Sequence, residues 1–166
     1  MTEDSGKIGG LDVVSWAAQF RMAEFGRRPG DVLCLGDMEV AFHLARRRGV
    51  YVLEYVSGST ARQGCGSFSD LEGAARLLVI SLGRAGRAER KLPPLVGTVP
   101  EQVAIEEGPV SAHLTWDGGW ADLPVSRFRL GVNRLFAHSV THSLPDLAAS
   151  FVHPRGAPVF APGPAG

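Results

Sequence analysis

Cysteine and lysine are both scarce in this chain, with two of each: Cys34, Cys65, Lys7 and Lys91. The cysteines are far apart and lack C-x-x-C spacing. Their apolar or strand-like surroundings make them small buried thiols rather than a redox or zinc motif. An excess of one charge is missing too, since Lys+Arg and Asp+Glu balance at 17 each. A neutral chain has no general field to draw it onto DNA, so nucleic-acid binding would need a local basic stripe. The densest basic run, Arg46-Arg47-Arg48, falls at a hairpin tip and suits a solvated turn better than a phosphate cradle. No run of about 20 apolar residues occurs, and no basic start leads into an apolar signal-peptide core. A cytoplasmic, reduced protein is expected, with neither membrane nor nucleic acid among its partners.

Catalytic signatures are absent as well. There is no G-x-S-x-G, no Walker A and no G-x-G-x-x-G following a strand. "GRAGRAE" lies at the end of a helix, the wrong pole for a phosphate. His138 and His142 have H-x-x-x-H spacing, which on a helix would present two rings to one metal. The flanking "LFAHSVTHSL" reads as strand then loop, so hydrogen-bonded or surface histidines are expected and no metal site. A Cys–His hydrolase would need Cys34 or Cys65 beside a histidine in space. Cys65, between Gly64 and Gly66, has room for a substrate but nothing to activate a thiolate. Glu106-Glu107 reads as a solvated pair in a loop. No cofactor is implied.

What the 166 residues do contain is a single domain, predicted over 11–160, with disordered ends at 1–10 and 161–166. "LDVVSWAAQFRMAEFG" repeats apolar residues at three and four and is read as a helix stopped by Gly26 and Pro29-Gly30. "DVLCLGD" is a short strand. Residues 38–56 alternate with period two on both sides of Gly49, a hairpin signature, and "ARQGCGSF" can pair beside it. Ser69 and Glu72 have capping-box spacing before the apolar stripe Leu71, Ala74, Ala75, Leu78, Val79 and Leu82. That helix runs to Pro93-Pro94, with Arg84, Arg87 and Arg90 gathered at its negative pole.

"VSAHLTW" and "WADLPV" flank the turn at Asp117-Gly118-Gly119, and "SRFRLGV" and "RLFAHSV" look like two more strands. A short helix, Pro145 to Phe151, leads through Pro154-Arg155-Gly156 to a buried Pro158-Val159-Phe160. The expected fold class is α+β: antiparallel β-sheet meanders with an N-terminal helix, one long central helix and a short C-terminal helix. Trp16 fits the core, while Trp116 and Trp120 flank a hairpin tip, where they can clasp across the turn or serve as interface anchors. A scaffold with aromatic and arginine-bearing turns suits binding better than turnover.

The combination of "SFSDLEGAARLLVISLGRAGR" with the later "AHSVTHSLPDLAASFVHPRGAPVF" resembles a bacterial immunity family, that of the immunity factor for the tuberculosis necrotizing toxin, an NAD glycohydrolase. Asp70, Ala74 and Leu78 match its helix, and Ser139, Ser150, Phe151, Pro154, Gly156, Pro158 and Phe160 match its closing segment. Arg155 replaces an acidic residue and Val159 a leucine. The resemblance implies a non-catalytic antitoxin, a monomer or a 1:1 heterodimer with its toxin, that blocks access of NAD to the toxin's catalytic domain. Arg46, Arg47, Arg48, Trp116, Asp117 and Trp120 are the candidate partner-binding residues, chosen because they sit at hairpin tips. The alternatives are a secretion or folding chaperone and a small hydrolase using Cys65 or the His138/His142 pair.

Overall fold

One antiparallel sheet collects the strands from both halves of the chain, and the helices pack against it. A computed structural model describes residues 6–58, 62–125 and 130–162. In chain order the elements are β1 (Lys7–Ile8), β2 (Leu11–Asp12), α1 (Val13–Ala18), β3 (Ala23–Glu24), β4 (Asp31–Gly36), β5 (Val40–Arg47), β6 (Val50–Ser57) and β7 (Gln63–Phe68). There follow α2 (Leu71–Glu89), β8 (Leu95–Val96), β9 (Ala104–Glu107), β10 (Ser111–Trp116), β11 (Gly119–Pro124), α3 (Leu130–Ser139), α4 (Leu144–Val152) and β12 (Ala161–Pro162).

The main sheet has eight strands in the order β3-β4-β5-β6-β7-β11-β10-β9. The expected α+β class holds, but the two meanders are one sheet. They join where Phe68 and Ser67 of β7 face Ala121 and Asp122 of β11. Residues opposite one another in register share a face. One face carries Leu33, Leu44, Leu53, Phe68, Ala121 and Leu114, all buried in the core beneath the helices. Burying each such Leu or Phe stabilises the fold by about 1.5–3 kcal/mol relative to leaving it in water.

The long helix α2 is the spine of the helical layer. Its N-cap is Asp70, in extended conformation, whose carboxylate accepts from the Gly73 amide at 2.7 Å. Ser69 and Glu72 therefore do not form the expected capping box. Ser69 still belongs to the sheet, where its Oγ accepts from the Trp120 amide at 2.9 Å, and Glu72 reaches forward to Arg76 at 2.8 Å. Gly83 and Gly86 bring other segments close, since a side chain there would overlap the rings of Phe151 and Phe20 respectively.

Two arginines of α2 are buried. Arg76 donates to the carbonyls of Ser139 and His142, just where α3 ends. Arg87 donates to Pro93 O at 2.8 and 3.0 Å, His153 O at 2.7 Å and Pro154 O at 2.9 Å, around the end of α4. Arg87 does lie in the last turn of α2, as expected, and its guanidinium also satisfies carbonyls around the end of α4.

Several expectations change. Lys7–Ile8 pair with Leu11–Asp12 in a hairpin, with Ile8 buried, so part of the stretch 1–10 expected to be disordered is in the fold; residues 1–5 lie outside the described range. The first helix stops at Ala18, because Arg21 takes a left-handed φ of 61° and Ala23–Glu24 join the sheet edge. "RLFAHSV" is helix α3, not a strand: Val132, Leu135 and Phe136 recur at helical spacing and turn into the core. The start of "SRFRLGV" lies outside the described residues. Val159 and Phe160 are buried as expected, but Pro158 is exposed. Ala161–Pro162 pair with β8 rather than fraying; residues 163–166 lie outside the described range.

Removing the Arg87 guanidinium takes the shared donor from the carbonyls of Pro93, His153 and Pro154. Arg87→Ala is expected to lower unfolding free energy by about 3 kcal/mol in urea titrations; a loss indistinguishable from that of an exposed arginine contradicts this role.

Candidate partner-binding surface

The sheet register brings the two hairpin tips to the same edge. A single lateral row runs Arg46, Tyr51, Phe68, Ala121, Leu114 across β5, β6, β7, β11 and β10. Just beyond it lie the β5–β6 turn at Arg48-Gly49 and the β10–β11 turn at Asp117-Gly118. Three strand spacings separate the two tips, roughly 14 Å. The start of α2 emerges between them, and Asp70, Glu72, Gly73 and Arg76 line a cleft with Trp116, Asp117 and Gly118.

The six candidate residues differ in what they are free to do. Arg46 lies over the Tyr51 ring at 5.8 Å, and Arg47 pairs with Glu54 at 2.8 Å. Arg48 is exposed at the turn with φ 49°. Asp117 is exposed at the other tip. The tryptophans do not clasp each other. Trp116 faces Gly119 in register and Trp120 faces Thr115, which puts the two indoles on opposite faces. Trp116 turns inward, with its ring 5.7 Å from Phe136 of α3. Trp120 stays on the outer face, 5.9 Å from the His113 ring. His113 Nδ1 in turn bonds Asp122 at 2.6 Å.

A second arrangement was invisible in the linear sequence. Register pairs Cys34 with His43, and the β4 bulge after Asp31 turns that carboxylate toward the same ring. Cys34 Sγ lies 3.9 Å from His43 Nε2, and His43 Nδ1 lies 2.9 Å from Asp31 Oδ2. The histidine that a thiol chemistry would require is thus present beside Cys34. Burial of Cys34, helped by the Asp31 charge, pushes the thiol above its ordinary value, away from the thiolate. Both cysteines are buried.

His138 and His142 come together, their rings 5.5 Å apart. His138 is on a helix, contrary to the strand expected, and is used structurally: Nε2 bonds Val159 O at 2.9 Å and Nδ1 meets the Thr98 amide at 3.2 Å. Burial, the neighbouring His138 and Arg76 all lower the pKa of His142. Among the described residues no group of three His, Cys, Asp or Glu side chains could hold a metal ion. Glu106-Glu107 lie in strand β9, not in a loop. No described helix is long and apolar enough to cross a membrane.

These features define an α+β domain with a helix-backed sheet and aromatic and charged turns gathered on one edge. Residues 16–159 match the family model of Immunity protein 61, and the chain belongs to that family. The immunity-family resemblance drawn from α2 and the closing segment therefore holds. No curated protein sequence matches the chain. Among solved structures, Rv3902c from M. tuberculosis is similar, with a TM-score of 0.73 and 17% identity over 92% of this chain and 93% of that one. At that identity the likeness is one of fold.

Burial raises the Asp31 carboxyl, but the bonds from His43 and the Arg28 amide outweigh it and leave the pKa lowered. A lowered carboxylate pKa adds stability above its unfolded value, which fades as the pH falls. The stability gap between wild type and Asp31→Asn should be present at neutral pH and shrink below about pH 4; a gap independent of pH contradicts the pairing.

Proposed function

We propose that this protein is a non-catalytic immunity protein that acts in the cytoplasm of the producing cell, where it binds the catalytic domain of a cognate secreted toxin and denies it substrate. The observation that carries the reading is the match to Immunity protein 61 across residues 16–159, nearly the whole folded domain. The toxin, on the resemblance described above, is an NAD glycohydrolase, bound one to one. The binding edge is the one bearing Arg46, Arg47, Arg48, Trp116, Asp117 and Trp120.

Inhibition of this kind needs no reactive group. A rigid surface that fills a cleft excludes substrate by occupancy. A standard interface takes about 800 Å² from each partner, under a tenth of this chain's 9249 Å². Within such an area a few aromatic or arginine anchors carry most of the affinity. Trp120, fixed by the β10–β11 ladder and free on the outer face, is the best-placed anchor. Trp116 supports the edge from within, through Phe136.

A second reading has one observation in its favour, the Asp31–His43–Cys34 order, which resembles that of a cysteine hydrolase. Cys34 is only 2% exposed and its thiol is held protonated, both unfavourable to attack on a substrate. Native protein should leave Cys34 unlabelled by a thiol reagent until urea unfolds it; rapid native labelling would favour the hydrolase.

Co-expression with a candidate cognate toxin, sought among the products of neighbouring genes, tests the main reading through survival and cellular NAD. Wild type should protect, and Trp120→Ala should weaken binding by about 2 kcal/mol with little loss of stability. Trp116→Ala should act chiefly on stability. Full protection with toxin affinity unchanged by both substitutions places the interface elsewhere.

A further inference from the structure

The face of the sheet turned away from the helices carries a trough. Its floor follows β7, where Gly64 and Ser67 provide almost no side chain. Val52 and Glu54 of β6 wall one side, and Asp122 and Pro124 of β11, with Val110 and Ser111, wall the other. No described helix packs on this face. Val50, Val52 and Val56 are half-buried and belong to no part of the core cluster, and Val110 is 74% exposed. The trough encloses 260 Å³, below the roughly 300–1,000 Å³ of small-molecule sites. It suits one large side chain better than a nucleotide.

Charge across this face is divided. On the β5–β6 side Arg47 and Arg62 both hold Glu54 at 2.8 Å, and Arg48 adds a further exposed cation. On the β10–β9 side Asp122 bonds His113, and Glu106 of β9 stands across from His113 in register, so two carboxylates flank a single imidazole. The trough lies between a cationic flank and an acidic one. Arg47, Val50 and Trp120 stand one row nearer the tips on the same face.

We propose that the partner toxin seats one large apolar side chain, carried on a loop, in the β7 trough, with a basic group of the loop over Asp122 and Glu106 and an acidic group toward Arg47 and Arg48. This rests on the toxin-binding reading and extends the interface from the sheet edge onto the helix-free face. A buried apolar anchor supplies affinity, and the two flanks fix its orientation and speed encounter.

Gly64 offers a clean test. A Cβ built there meets nothing within 4 Å and its backbone φ is not left-handed, so a side chain can leave the backbone there without a clash at its first carbon. Gly64→Trp should fill the trough from the inside. Binding to a catalytically inactivated domain of the toxin against which the wild-type protein protects is then measured by calorimetry, with thermal unfolding of each variant as a control. Affinity should fall by about tenfold or more at an unchanged unfolding midpoint. A second variant, Glu106→Lys, should slow association and flatten its salt dependence. Undiminished binding by Gly64→Trp, while wild type binds, overturns the trough and leaves the toxin-binding reading standing. Association of Glu106→Lys as fast as wild type overturns the proposed orientation. Failure of wild-type protein to bind overturns both the trough and the reading on which it rests.

Discussion

Two buried guanidinium groups on one helix hold the second half of the molecule in place. Arg76 gathers the carbonyls at the end of α3, and Arg87 those at the end of α4 and in the turn beyond. Helix C-termini leave carbonyls without partners and carry the negative pole of the helix dipole, so a buried cation there satisfies both. An ammonium would serve less well, because its three donors radiate from one atom, whereas the planar fork of arginine spreads five across separate acceptors. The consequence reaches the surface. Arg76 fixes α3, Phe136 of α3 receives the Trp116 ring, and Trp116 anchors the tip of the β10–β11 hairpin. The candidate edge is thus held from within by a buried charge.

The two tips gain their meaning from the β7–β11 pairing. Neither hairpin alone reveals its neighbour, and only the register Phe68–Ala121 puts Arg48 and Asp117 on a common edge. The same pleat separates the tryptophans, sending Trp116 to support and Trp120 to the outside. The outer face then receives Arg47, Trp120 and the glycine-floored trough as one continuous surface.

Much of this was legible in the chain. The alternation around Gly49, the Asp117-Gly118 turn and the apolar stripe of α2 all depend on local pattern, and all appear where expected. The failures have physical causes. α3 begins beside a Gly and carries β-branched and aromatic residues, so its short apolar run fits either period, and packing of Leu135 and Phe136 decides for helix. Asp70 displaced Ser69 as cap because pairing to Trp120 keeps Ser69 in the sheet. Gly83 and Gly86 gave no local hint that Phe151 and Phe20 would press against them. Among the candidate site residues, the tips were readable as tips, but their shared edge, the Asp31–His43–Cys34 contact and the trough all require strand register. Register across β7 and β11 is set by long-range contacts, for which a single sequence has no local signal.

Inhibition by occupancy has a stoichiometric signature. On the proposed reading, hydrolysis of NAD by a fixed amount of the toxin's catalytic domain should fall linearly as this protein is titrated in and vanish at one equivalent, with full activity returning when the complex is separated and the toxin's mass unchanged. Loss of toxin activity at a small fraction of an equivalent, with a lasting change in toxin mass, would contradict occupancy and require turnover by this chain.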